Sequence, residues 1–310
     1  MFWRKFKMKS IMQTIGQYLK LCEHQKNLNE NTIKSYRIDL RQFVEFSIEQ
    51  KTMFDRNSIR TYVVRLNQQY KPRTVKRKIA SLKAFCTYLH EEELIPENPF
   101  TKLRIKLQEP FTLPRTIPLD VLKRMFAAAY QEFRESKTEQ SRKNSLKDVA
   151  VMELLFATGM RVSELCRLNM RDINLLDGRI KIHGKGAKER MLQLTNSEVI
   201  AILRQYVAEL RPAENDAFFL NQRKTRLSEQ SVRLMLRKYA NQIGTLLHIT
   251  PHMFRHSFAT LLLEEDVDIR YIQQLLGHSS IVTTQIYTHV ATAKQRDILI
   301  QKHPRNKISI

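Results

Sequence analysis

The amino-acid sequence predicts a mainly α-helical chain of two domains, with one small β-hairpin in the second. Three observations predict this. Apolar residues recur at three- and four-residue intervals through most of the chain. A proline-containing stretch at 109–118 breaks that rhythm once. Strict alternation of apolar and polar residues occurs only near residues 179–194. A chain of 310 residues, 42% of them hydrophobic, is long enough to bury two cores.

The first domain is expected over residues 10–108. Ile11, Ile15, Tyr18, Leu19 and Cys22 share one helical face. The run from Asn29 to Thr32 opens a second helix, whose stripe is Ile33, Tyr36, Leu40, Phe43 and Phe46. A third helix spans roughly 58–69, and Pro72 opens a fourth carrying Val75, Ile79, Leu82, Phe85 and Leu89. Pro96 and Pro99 stop it, and residues 109–118, with Pro110, Pro114 and Pro118, read as an extended linker. The second domain, 119–310, is again mostly helical. Its exception is the hairpin, in which Arg179–His183 and Met191–Leu194 alternate around a Gly-containing loop, Gly184-Lys-Gly-Ala-Lys188. The polar stretch 134–147 is expected to be a mobile surface loop or a frayed helix end.

Charge restricts the function. The chain holds 53 Lys and Arg against 31 Asp and Glu, a net charge of +22, and half of that excess lies in residues 1–110. Such an imbalance implies a polyanionic partner. No apolar run approaches the ~20 residues of a membrane-spanning helix, and the N-terminus does not read as a signal peptide, so nucleic acid is preferred to a membrane surface. Between Asp55 and Glu91 there is no acidic residue but nine cations. Within that interval Arg73, Lys76, Arg77 and Lys78 are candidate DNA-phosphate contacts. Cys22, Cys86 and Cys166 are widely spaced and set among apolar residues, which fits buried thiols and a cytoplasmic location.

The chemistry is expected from Arg161, Lys185, His252, Arg255, His278 and Tyr287. Gly159 turns the chain so that Arg161 starts a helix, with Glu164 three residues on to orient its guanidinium. Lys185 lies between two glycines in the hairpin loop. Thr250 and Pro251 start a helix that carries His252 and Arg255 on one face. His256 lies four residues after His252, but Met253 stands where a zinc helix would have glutamate, so no metal site is expected. His278 follows the helix-ending Gly277, and Tyr287 follows nine residues later. Singly, each of these residues has an ordinary structural explanation: a surface ion pair, an inert turn lysine, a packed histidine or tyrosine. Together they are cations around one phenol, a set suited to enclosing a phosphate.

That order and spacing resembles the tyrosine recombinase (phage integrase) family, and the surrounding words match it as well. These are Glu153-Leu-Leu-Phe-Ala-Thr-Gly-Met-Arg-Val-Ser-Glu-Leu165, Gly184-Lys-Gly-Ala-Lys-Glu-Arg190, His252-Met-Phe-Arg-His-Ser-Phe-Ala-Thr260 and Leu275-Leu-Gly-His-Ser-Ser280, with a tail, Lys302-His-Pro-Arg305, like that of the Xer subgroup. The resemblance implies a C-shaped clamp made of a helical, SAM-like core-binding domain and a catalytic domain. It implies a site-specific DNA recombinase in which Tyr287 forms a 3′-phosphotyrosyl bond. Arg161 and Arg255 would hold the phosphate, Lys185 protonate the leaving oxygen, His252 take the tyrosine proton and His278 donate a hydrogen bond. No metal or other cofactor is implied. The partners implied are double-stranded DNA carrying recombination sites and three further subunits, forming a homo- or hetero-tetramer through the amphipathic segment 293–300 and passing through a Holliday junction. A type IB topoisomerase-like enzyme and a catalytically inactive DNA-binding regulator are the alternatives, and a metal nuclease is disfavoured by the lack of clustered carboxylates.

Overall fold

The computed structural model describes residues 2–50, 54–101, 103–105, 115–184, 189–210 and 215–277, with side chains from Ser10 onward. The chain divides into two compact units, Met1–Phe111 and Thr112–Ile310.

The first unit is four helices, α1 (Phe2–His24), α2 (Glu30–Glu49), α3 (Arg56–Gln69) and α4 (Pro72–Glu91). Their starts follow local chemistry. The Asn29 side chain accepts from the Thr32 amide and Asp55 from the Ser58 amide, while Pro72 occupies the first turn of α4. The apolar stripes meet in a core of tilted and edge-on rings: Tyr18 contacts Phe85 and Tyr88, and Phe43 contacts Phe46 and Tyr62. Cys22 and Cys86 are buried free thiols in this core, as Cys166 is in the second unit.

The basic interval 56–83 departs from the expectation that it lacks counter-charges. Its partners come from outside the interval: Arg56 pairs with Glu97, Arg65 with Glu49, and Arg77 with Asp39. Lys78 is not on the surface. Only 3% exposed, its ammonium bonds the buried Asp39 carboxylate at 2.9 Å, donates to Gln42 and lies over the Tyr70 ring. A lysine with one carboxylate and one ring around it in the core is a structural ion pair, so Lys78 is withdrawn as a phosphate contact. Arg73, Lys76 and Arg77 are exposed on the side of α4 away from the buried Val75, Ile79 and Leu82.

The second unit contains α5 (Leu119–Arg134), α6 (Glu139–Thr158), α7 (Val162–Arg167), β1 (Ile173–Asn174), β2 (Arg179–His183), β3 (Glu189–Gln193), α8 (Ser197–Leu210), α9 (Glu229–Gln242), α10 (Pro251–Glu264) and α11 (Ile269–Leu276). The expected hairpin is β2–β3, with His183 opposite Glu189 and Ile182 opposite Arg190, and β1 extends it to three antiparallel strands. A two-residue strand is too short to show alternation in sequence. Helix α6 is the centre of the core: Leu146, Val149, Ala150, Met152, Leu154 and Leu155 are buried around its circumference. It also corrects the expectation of a mobile segment at 134–147. Thr138 caps the helix by accepting from the Ser141 amide, and Ser145 is fully buried, its hydroxyl bonded to the Ser141 and Arg142 carbonyls. Small polar residues that satisfy their own hydroxyls within a helix are admitted to a core that their polarity in sequence argues against.

Candidate active site

The site is assembled where α6 ends, α7 begins and α11 ends. Gly159 stops α6 in a left-handed conformation, φ +59°, and a Cβ there would lie 2.4 Å from the Phe258 ring. Both facts require glycine. The turn delivers Arg161 as the residue capping α7. Arginine cannot accept from the helix amides, and the cap works in the reverse sense. Glu164, in the first turn, accepts from the Arg161 amide at 2.8 Å and from its guanidinium at 2.8 Å. Arg190 of β3 grips the same carboxylate with both terminal nitrogens, at 3.0 and 2.8 Å. Burial alone would raise the Glu164 pKa. The hydrogen bonds and charges of Arg190 and Arg161 outweigh it and hold the carboxyl at about 2. Glu164 is therefore ionised at neutral pH, and its contribution to stability is lost as the pH falls from about 4.5 toward 2.

Arg255 lies on α10, which Thr250 caps and Pro251 opens. Although charged, it is 4% exposed. Its guanidinium donates to the Gly159 carbonyl at 2.9 Å and to the Leu276 carbonyl at 2.6 Å. These are the C-terminal carbonyls of α6 and α11, the ends at which helix dipoles concentrate negative potential. Arg161 donates to the next carbonyl, that of Gly277, at 3.4 Å. The two guanidinia are thus anchored to consecutive peptide carbonyls and lie side by side. His252, on the first turn of α10, is exposed and faces them. Its pKa is held below the ordinary histidine value, first by partial desolvation and then by the positive charges of Arg255, Arg161 and Arg233. A neutral imidazole at neutral pH is able to accept a proton.

Of the six residues expected to carry the chemistry, Arg161, His252 and Arg255 are brought together. Lys185, His278 and Tyr287 lie outside the described residues. In sequence, Lys185 directly follows Gly184 at the end of β2, and His278 directly follows Gly277. The residue that the sequence reading quoted without a role is Arg190. Its signal was present: in the hairpin it pairs with Ile182, which is 1% exposed, and stands two residues from Leu192, which is 4% exposed. A cation at an inward-facing strand position demands a buried carboxylate. Among the described residues no three His, Cys, Asp or Glu side chains converge as metal ligands would.

His256 gives this region a pH signature. Burial, followed by the charges of His252 and Arg255, pulls its pKa down to about 4 from the usual 6.5. The folded protein keeps the ring neutral, while the unfolded chain takes up a proton below about pH 6.5. The contribution of His256 to stability is therefore complete above that pH and is lost as the pH drops toward 4, by about 3 kcal/mol. Urea unfolding between pH 6.5 and 4.5 is expected to show a shallower pH slope for His256→Asn than for the unaltered protein. Equal slopes would remove His256 as the cause.

Comparison with known proteins places this geometry. The phage integrase family matches residues 117–294, and the phage integrase N-terminal SAM-like domain matches residues 15–93. A tyrosine recombinase of Agathobacter rectalis is 50% identical over 301 residues, covering 96% of this chain and 98% of the relative. Tyrosine recombinase XerD of Listeria innocua is 37% identical over 303 residues, covering 94% of this chain and 98% of the relative. Among solved structures, the site-specific recombinase XerH bound to palindromic difH substrate in a post-cleavage complex aligns with a TM-score of 0.71 at 25% identity, over 91% of this chain and 83% of that one.

Proposed function

The chain belongs to the phage integrase family of tyrosine recombinases, and from that premise we propose how its residues divide the work of site-specific DNA recombination. Arg161 and Arg255 bind the two nonbridging oxygens of the scissile phosphate. The observation that carries this is their anchoring to the consecutive carbonyls of Leu276 and Gly277, which sets two planar donor forks next to each other. Adjacent guanidinia repel, and Glu164 and the helix-end carbonyls offset that repulsion only in part, so the site is prepared for an anion that gains charge in its pentacoordinate state. Tyr287 attacks the phosphorus and the 5′-oxygen departs, leaving a 3′-phosphotyrosyl bond and a free 5′-hydroxyl. The phosphodiester energy is kept in that bond, so religation by the incoming 5′-hydroxyl needs no nucleotide. His252, neutral at working pH, receives the tyrosine proton, Lys185 protonates the leaving 5′-oxygen, and His278 donates to the phosphate.

The decisive experiment is covalent trapping. Duplexes bound by the protein are selected from a random library and rebuilt with a nick beside the scissile position, so that the cleaved fragment is lost and the adduct accumulates. The expected result is a covalent protein–DNA band in excess EDTA without nucleotide. Strict dependence of cleavage on Mg²⁺ would contradict the reading. Exchange of strands between two such sites, and not relaxation alone, separates a recombinase from a topoisomerase-like activity.

Lys185→Ala is expected to cleave slowly because the leaving oxygen departs unprotonated. A substrate with sulfur at the 5′-bridging position should restore most of the rate, since a thiolate leaves without a proton. Arg255→Ala should not be restored, because its loss strips charge from the phosphate itself. Equal restoration of both variants, or of neither, would assign the acid role to another residue.

The domain division is proposed as 10–108 for core binding, 109–118 as linker and 119–310 for catalysis. Exposed Arg73, Lys76 and Arg77 contact DNA phosphates. Four subunits assemble on paired sites through segment 293–300, by a Holliday-junction route, in the cytoplasm. Three buried free thiols fit a reducing compartment, and among the described residues no helix is long and apolar enough to cross a membrane.

A further inference from the structure

We propose that Arg190 is a positioning residue of this active site. It ties β3, the helix start that bears Arg161 and the end of α11 into a single arrangement. The proposal rests on the reading of Arg161 as a phosphate ligand.

Arg190 is the second residue of β3, at the base of the loop that contains Lys185. Its side chain is 14% exposed and makes three hydrogen bonds to two other segments: two to the Glu164 carboxylate and one from Nε to the Leu275 carbonyl at 3.0 Å. Glu164 receives four hydrogen bonds in all, two on each oxygen, half from Arg190 and half from Arg161. A carboxylate offers about four lone-pair sites, so this one is saturated and fixed in plane. The Arg161 guanidinium is thereby aimed from behind by a group that Arg190 holds. The last turn of α11 is shaped around the same side chain. Gly277 is left-handed, φ +64°, and a Cβ on it would stand 3.0 Å from Arg190 Nη1 and 3.1 Å from its Cδ. The space a side chain would take at the end of α11 is filled by Arg190.

Arg190 thus acts through other residues and does not itself bind the phosphate. Lysine keeps the charge but has no planar fork, so it cannot grip both Glu164 oxygens and the Leu275 carbonyl at once. Groups that orient a metal ligand in the same way are worth about 10–100-fold in metal affinity or activity, and an effect of that order is expected here. The test is a double-mutant cycle of single-turnover cleavage on the nicked substrate, at a temperature where circular dichroism shows every variant folded. Arg190→Lys is expected to cleave about 10–100-fold more slowly, with DNA affinity changed by no more than about twofold. Adding Arg190→Lys to Arg161→Ala should slow cleavage by less than about twofold more, because the group it orients is already gone. A merely structural arginine would give effects that multiply. Wild-type cleavage by Arg190→Lys, or multiplying effects, would overturn the proposal. If Arg161→Ala cleaves as fast as wild type, it is the phosphate-ligand reading that fails, and the positioning role falls with it. Glu164→Gln, which keeps the shape and removes the charge, should reproduce the Arg190→Lys slowing, and an unchanged rate there would also overturn it.

Discussion

Tyr287→Phe is expected to yield no covalent adduct on the nicked substrate, while binding the same duplex with an affinity within about twofold of wild type, because phosphate contacts supply most of the binding energy. The substitution removes one oxygen and leaves the ring and every cation in place. The other tyrosines sharpen the test. The chain has ten. Tyr18, Tyr62, Tyr206 and Tyr239 are at most 3% exposed, and burial raises the pKa of Tyr18, Tyr62 and Tyr239 above the free phenol, which disfavours the phenolate. Tyr271, on α11, is 66% exposed and is the natural control. Tyr271→Phe should form the adduct normally. An adduct from Tyr287→Phe that disappears in Tyr271→Phe would move the nucleophile to α11.

Arg255→Ala is expected to fail in two separable ways. Cleavage should fall by at least about 10³-fold, since a preorganised donor facing developing charge is lost. Stability should fall as well, because the Gly159 and Leu276 carbonyls lose their partner inside the protein, at a cost of about 1–3 kcal/mol for each unsatisfied group. Arg255→Lys separates the two. It keeps a charge in the buried position, so the melting temperature should recover in part, but one ammonium cannot span both carbonyls and still present a fork to the phosphate. Full cleavage by Arg255→Lys would show that charge alone suffices and would refute the geometric role given to this residue.

Much of the fold was legible because its signals are local. The stripes of α2 and α4 and the Gly159 turn are written in spacing and in residues with narrow backbone preferences, and the structure places them accordingly. That Arg161, His252 and Arg255 come together was legible from the set, although each alone is ordinary. What was missed depends on partners distant in sequence. Lys78 looks like one more surface cation until Asp39, on another helix, is seen to bury it. Arg190 has no sequence neighbour that explains it, since Glu164 and Leu275 lie 26 and 85 residues away. Segment 134–147 read as a mobile loop or frayed helix end because nothing local reveals that α6, which begins at Glu139, passes through the centre of the core.

The wiring of Arg161 and Arg255 to main-chain oxygens bears on how such an enzyme diverges. A carbonyl belongs to every residue type, so no point substitution at Leu276 deletes the acceptor it offers. Only insertions, deletions or breakage of a helix end do that. The two guanidinia are thereby insulated from ordinary sequence drift at the Leu276 acceptor. The glycines at 159 and 277 are the exceptions, each fixed by a left-handed backbone angle and by a neighbouring side chain, Phe258 and Arg190.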